Sequence, residues 1–301
     1  MLMLVDAPGL WYRAYYGLPS SLKAPDGTQT NAIRGFIDAL ATLIRDHHPT
    51  QLACAIDNDW RPHWRVAALP TYKTHRLAAD GTSEEEPEAL PHQVAIIKQL
   101  LTTWGIPTTG ADNYEADDVL ATLAAGANQP VAVVTGDRDL FQVVDDTRHI
   151  TVIYTGRGIA KAETYNDTAI TQRFGVTAAQ YADYAILRGD PSDGLPGVKG
   201  IGDKTAATLI NQHHDLNGII NAATDPQSTL KPRQRTAITD ATDYLKAAPT
   251  VVRTATDAPA DTTTATIPLK PHDPDALAAL TEQYGLSGPM GRLTQALCTV
   301  G

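Results

Sequence analysis

Val131-Ala132-Val133-Val134-Thr135-Gly136-Asp137-Arg138-Asp139-Leu140 drives an apolar run straight into a turn that carries two acids. Valine-rich residues ended by Gly-Asp predict a short buried strand and then a loop. Two other stretches repeat the arrangement: Leu2-Met3-Leu4-Val5 stops at Asp6, and Gln51-Leu52-Ala53-Cys54-Ala55-Ile56 stops at Asp57. Between them Ile33, Phe36, Ile37, Leu40 and Ile44 recur at helical spacing, and 94–101 repeats that pattern. Strands alternating with helices predict an α/β fold with a mostly parallel central sheet flanked by helices. In such sheets chemistry gathers beyond the carboxyl ends of the strands, where Asp6, Asp57 and Asp137 stand.

The chain has 301 residues, enough for a main domain and a smaller one. With 43% hydrophobic and 19% charged residues, a disordered composition is excluded. Cys54 and Cys298 lie far apart and outside any metal pattern, so neither a disulfide framework nor a zinc site is expected. No apolar run reaches the roughly 20 residues of a membrane helix, and Asp6 interrupts any leader-like start. A cytoplasmic location without membrane association is expected. The net charge of −10 argues at first against a polyanionic partner. Nine of the 34 acids, however, fall in a few short motifs, and setting them aside leaves 25 against 24 Lys and Arg. A local basic path remains compatible with that balance.

Those motifs add acids to the strand ends. Glu115-Ala116-Asp117-Asp118 opens a helix, Asp137 and Asp139 are two apart after a strand, and Asp190 and Asp193 are three apart before a glycine-rich stretch. Singly, each has a bland reading as a helix start or an Asx turn. Together they would crowd carboxylates that repel or take up protons unless cations neutralise them. An all-oxygen set without His or Cys points to Mg²⁺ or Mn²⁺, and so many acids point to at least two ions.

Gly197-Val198-Lys199-Gly200-Ile201-Gly202-Asp203-Lys204-Thr205 is a tight turn feeding a helix. Glycines and helix N-terminal amides let a backbone approach phosphate. Pro70-Thr71-Tyr72-Lys73-Thr74-His75-Arg76 supplies two certain cations after Asp57, with Arg65 upstream. The polar stretch from Lys73 to Pro91 reads as an exposed loop or arch, and 255–265, almost entirely Ala, Thr, Pro and Asp, as a linker or surface excursion. Leu277, Leu280, Tyr284 and Leu286 suggest a final segment that packs back on the body.

In this order the motifs resemble the 5′-nuclease superfamily, the flap endonucleases and 5′-3′ exonucleases that also form the N-terminal domain of bacterial DNA polymerase I. The matching residues are Leu4-Val5-Asp6, Thr30 to Phe36, Ile56-Asp57, Tyr72 to Arg76, Glu115 to Asp118, Thr135 to Leu140 and Gly189 to Thr205. The resemblance implies a PIN-like catalytic domain over 1–170, with an arch at about 72–92, and a helix-hairpin-helix domain with a C-terminal extension over 171–301. It implies that Asp6, Asp57, Glu115 and Asp117 build a first metal site, and that Asp118, Asp137, Asp139, Asp190 and Asp193 build or support a second. Lys73 and Arg76 would stand at the base of a helical arch that admits a free 5′ strand. Arg65, Tyr72, Arg188, Gly197, Lys199, Gly200, Gly202, Lys204 and Thr205 would contact DNA, with a potassium ion at the hairpin.

The implied reaction is phosphodiester hydrolysis near junctions of single strand and duplex, at 5′ flaps, nicks and free 5′ ends, in replication and repair. Removal of RNA primers in Okazaki fragment processing falls within it, since the backbone of an RNA/DNA hybrid is read rather than its bases. The sequence departs from the family with Ala7-Pro8 after the first Asp, Arg138 in place of Lys and Gly194 in place of Asn. It is expected to be a stand-alone monomer. Two rivals are a structure-specific DNA binder without turnover and a PIN-type RNase; the nine acids argue against the first and the glycine hairpin against the second.

Overall fold

The computed structural model describes residues 1–261 and 265–299. Its centre is a sheet of β1 (Leu2–Asp6), β2 (Gln51–Ala55), β3 (Thr108–Thr109), β4 (Val131–Thr135), β5 (Ile150–Tyr154), β6 (Glu163–Tyr165) and β7 (Ala265–Thr266). The order is β3-β2-β1-β4-β5-β6, with β7 also paired to β2. The first five strands pair parallel; β6 and β7 run antiparallel to their neighbours. All three strands read from the sequence are present, at the centre of the sheet.

Helices α1 (Ala7–Gly17), α2 (Asn31–His47), α3 (His63–Ala68), α4 (Leu90–Trp104) and α5 (Ala116–Gly126) fill the first half. The second half holds α6 (Asp167–Phe174), α7 (Tyr181–Arg188), α8 (Asp203–His213), α9 (Leu216–Thr224), α10 (Pro232–Asp240), α11 (Thr242–Val252), α12 (Pro274–Gln283) and α13 (Ser287–Cys298). Alternation along β1 shows why the central strands are apolar throughout. Met3 and Val5 enter a core with α1, α2, α4, α12 and α13, while Leu2 and Leu4 enter one with α5 and the helices α7 to α11.

The last segment does pack back. Leu293 and Leu297 on α13 are fully buried in the core of α2, each contributing about 1.5–3 kcal/mol. Arg34 donates to the Gly285 carbonyl at 2.7 Å. The sheet domain is therefore assembled from both ends of the chain.

Two stretches take one of the alternatives that the sequence left open. Residues 255–261 are a surface excursion, mostly exposed but tethered: the Ala255 and Ala258 amides donate to Asp118 and to the Thr122 hydroxyl, and Ala258 is buried. Residues 262–264 of that stretch lie outside the described residues. The segment after Arg76 takes the exposed-loop alternative, not the helical arch that the resemblance implies. After a 3₁₀ turn at Thr74–Arg76 it folds into a small hairpin, with Leu77 bridged to Glu84, the Ala78 amide donating to Ser83, and Gly81 at the tip with φ +73°. Asp80 accepts from the Thr82 and Ser83 amides, which favours this tight turn over a helix.

Candidate active site

Adjacent strand ends deliver the first carboxylates. Asp6 closes β1 and caps α1, accepting from the Gly9 amide at 2.8 Å. Pro8 in the first turn of α1 suits that start, since it forfeits no helical hydrogen bond. On the neighbouring strand Thr135 donates its hydroxyl to Asp6 at 2.9 Å and accepts from the Asp137 amide at 2.9 Å, tying the two motifs together. Asp137 then accepts from the Asp139 amide at 2.8 Å. Asp57, beyond the end of β2, accepts from the Ala116 amide at 2.7 Å and so fixes the start of α5.

From that start Glu115 and Asp117 reach a cleft of about 370 Å³ shared with Asp6, Asp57, Asp137, Lys73, Arg76 and Glu84. Asp6 and Asp137 also line an adjoining cavity of about 790 Å³, which runs past Arg13, Arg138 and Arg188 to Asp190, Gly202 and Asp203. The catalytic face and the glycine turn thus share one depression.

The turn over 190–195 is bound to the Lys73 segment. The Lys73 amide donates to the Asp193 carbonyl at 3.0 Å, and Arg76 donates to the Ser192 carbonyl and the Asp193 carboxylate. Gly194 adopts φ +73°, and a Cβ there would stand 2.6 Å from the Thr71 carbonyl oxygen. That contact explains why glycine occupies this position.

The acids divide electrostatically. Burial pushes Glu115 up, but Lys73 at 2.6 Å and Arg65 at 3.0 Å, with a hydrogen bond from Tyr72, hold it below the usual range. Burial pushes Asp117 and Asp139 well up, and Asp137 beside both adds to the effect. Asp57 is pushed up to about 7 and Asp193 to about 6, burial again leading. Among the described residues Asp139 Oδ1 is buried without a hydrogen-bond partner. No three of the acids, among those residues, close on one point as a ready-made cage: Asp6, Asp57, Glu115, Asp117 and Asp137 line the cleft, Asp190 lines the adjoining cavity, and Asp139 and Asp193 line neither.

Three sequence assignments change. Asp118 is fully buried and lines neither cavity. Arg65 grips it with two hydrogen bonds of 2.9 and 2.7 Å, and the Glu115 and Ala255 amides donate to it as well. It supports the start of α5 and has no lone pair facing the cleft. Arg65 is 2% exposed, with its Nε on the Val251 carbonyl and Glu115 3.0 Å away as well, so it cannot meet DNA. Tyr72, also 2% exposed, spends its hydroxyl on Glu115. A buried charge needs full pairing, and this trio supplies it.

The glycine turn connects α7 to α8 as a helix-hairpin-helix. Gly197 has φ +65°, and a Cβ there would meet the Arg188 carbonyl at 2.5 Å. Its role is close packing of the turn on α7, while Lys199, Gly200, Gly202 and Lys204 are exposed and Thr205 is half-buried. Arg188 lines the larger cavity 3.6 Å from Asp190.

Sequence reasoning passed over Arg13, Tyr12, Glu84 and Asp203. Arg13 follows Asp6 by two helical turns and so shares its face of α1, a signal that was available. Tyr12 donates to Glu84 at 3.1 Å and to Glu86, pinning the small hairpin beside the cleft. No local signal marks that pairing.

Comparison with known proteins gives one answer. Residues 1–175 match the family described as 5′-3′ exonuclease, N-terminal resolvase-like domain, and 176–275 its C-terminal SAM fold. A 5′-3′ exonuclease of Streptomyces coelicolor is 48% identical over 98% of this chain and 99% of its own length. One from Mycobacterium tuberculosis is 46% identical over 99% and 98%. DNA polymerase I of Bacillus caldotenax is 36% identical over 73% of this chain but only 24% of the polymerase. The T5 D15 protein co-crystallised with metal ions shares the fold with a TM-score of 0.66 at 17% identity, covering 99% of this chain and 98% of that one. The catalytic core of Rad2 in complex with DNA substrate reaches 0.60 at 17% identity, over 100% and 92%. The chain belongs to the 5′-3′ exonuclease family and is a 5′ nuclease, a hydrolase of nucleic-acid phosphodiesters.

Proposed function

We propose that the chain is a divalent-metal-dependent, structure-specific 5′ nuclease that cuts DNA at junctions of single strand and duplex. Its substrates are 5′ flaps, nicks and free 5′ ends in replication and repair, including RNA primers in hybrids. The observation that carries this reading is the partition of acids around one cleft. Glu115 has cationic partners, whereas Asp117 and Asp139 are pushed toward protonation and Asp139 keeps an unpartnered buried oxygen. Hard oxygen donors of this kind fit Mg²⁺ or Mn²⁺.

Asp6, Asp57, Glu115 and Asp117 would hold one ion, and Asp137, Asp139, Asp190 and Asp193 another. Bound there, such ions supply an activated water and neutralise the leaving oxygen. The chain's own cations act beside them: Lys73 in the cleft and Arg76 on its rim face the charge that grows on the phosphate. Gly200, Gly202, Lys199, Lys204 and Thr205 present a turn and a helix start to the downstream duplex, with potassium as a candidate at the hairpin. Contacts of this type read the backbone, so base sequence is not discriminated.

The test is a 5′-labelled flap duplex incubated with Mg²⁺, Mn²⁺ or chelator, beside the double variant Asp137→Ala/Asp139→Ala. The expected result is metal-dependent cutting at the junction, absent from the variant. Binding of the flap by the wild type without cutting under any metal would overturn the reading.

A further inference from the structure

We propose that the groove between the glycine turn and α10 is a second phosphate-contact surface, anchored by Arg233, that makes binding depend on the length of downstream duplex. This rests on the nuclease reading above and extends it to a helix that the hairpin motif does not include.

The chain holds 34 acids against 24 Lys and Arg, so where its cations are free to act is a strong constraint. Around the cleft each cation already has a carboxylate partner, whatever phosphate it also faces: Arg65 has Asp118, Lys73 has Glu115, Arg76 has Asp193 and Arg188 has Asp190. Lys199 and Arg233 differ. Both are exposed, and among the described residues neither has an ion-pair or hydrogen-bond partner. They line one groove of about 570 Å³ together with Gly197, Thr236, Asp240 and Tyr244.

The guanidinium of Arg233 lies 3.7 Å from where a side chain on Gly200 would begin, so it stands at the tip of the turn. Tyr244 gives the groove a fixed floor, donating to the Ile186 carbonyl of α7 at 2.9 Å. Asp240, seven residues along the same face of α10, repels phosphate and confines it to the Lys199 and Arg233 end. Two unpaired cations on one groove, whose lining is otherwise largely apolar and gives them no bonded acceptor among the described residues, stand next to a turn that offers backbone amides and suit the phosphates of duplex nucleic acid. Duplex that spans the cleft but stops short of the turn would not reach Arg233, whereas duplex that extends to the turn would.

The test measures binding by anisotropy in chelator, so that nothing is cut, over a potassium chloride series. Flaps with long and short downstream duplex are compared for the wild type, Arg233→Ala, Arg233→Glu and Arg233→Lys. For the long duplex, Arg233→Ala is expected to lower the log–log salt slope by about 0.9, the value of one phosphate contact. Arg233→Glu should weaken binding further, and Arg233→Lys should retain the slope. The short duplex should bind all four alike, and melting temperatures should agree because Arg233 is exposed and unpaired. An unchanged slope in Arg233→Glu, or equal losses on both duplexes, would overturn the proposal. Failure of the nuclease reading looks different: the wild type would then not cut the flap with metal present.

Discussion

Glu115 and Asp117 stand two residues apart at the start of α5, yet their carboxyls are driven in opposite directions. Glu115 meets Lys73, Arg65 and the Tyr72 hydroxyl and is held ionised. Asp117 meets the desolvation of the cleft and then Asp137, Asp6 and Glu115, and is pushed toward its neutral form. One side of the cleft is internally neutralised and the other waits for outside charge. The difference separates an acid whose charge the chain's own cations offset from one that costs stability until an outside cation arrives.

The largest effect should come from the destabilising side. Asp117→Asn is expected to lower kcat on a flap by about a thousandfold or more, since several kcal/mol of charge stabilisation is at stake. The same change should raise the melting temperature of the chelated protein, because a repelled carboxylate has gone. Single-turnover kinetics and a thermal melt check both; an inactive variant that also melts lower would break the comparison.

Next comes the supporting acid. Asp118→Ala leaves the Arg65 guanidinium buried without its main partner and is expected to cost about 3–5 kcal/mol of stability. Denaturant unfolding measures it. A change below about 1 kcal/mol, typical of exposed pairs, would mean that Asp118 faces solvent or metal after all.

A smaller effect, and one of opposite sign on the two sides, is pH dependence. Asp57 and Asp193 are raised from the usual 3.8 to about 7 and about 6. Between those limits the folded state binds more protons than the unfolded one, so stability falls as pH rises through the window. Glu115, lowered below its usual 4.5, contributes stability that is present above 4.5 and lost only as pH falls. The chelated protein should therefore melt lower at about pH 8 than at about pH 5, and Mg²⁺ should narrow the gap. A melt that rises with pH in chelator would contradict the division.

The strand ends were legible because a buried parallel strand must be apolar on both faces, so an acid terminating such a run stands out. Asp6, Asp57 and Asp137 all carry that signature. Asp117 and Asp118 were not separable, since adjacent helical residues point about 100° apart and only tertiary packing decides which meets the cleft. Arg65 looked like a free cation because its partner lies 53 residues away in sequence. The segment after Arg76 is polar enough for either an exposed helix or a hairpin, and the Asp80 turn and the Tyr12 contacts settled it. Composition left 255–261 open between a linker and a surface excursion, and backbone amides, invisible in composition, tether the excursion to α5.

The claim that one side of the cleft exists to hold cations is tested most directly by calorimetric titration of Mn²⁺ into the wild-type protein near neutral pH. The account predicts two or more ions per chain, with at least one lost in Asp117→Asn. Saturation at a single ion, or a titration that the variant leaves unchanged, would contradict it.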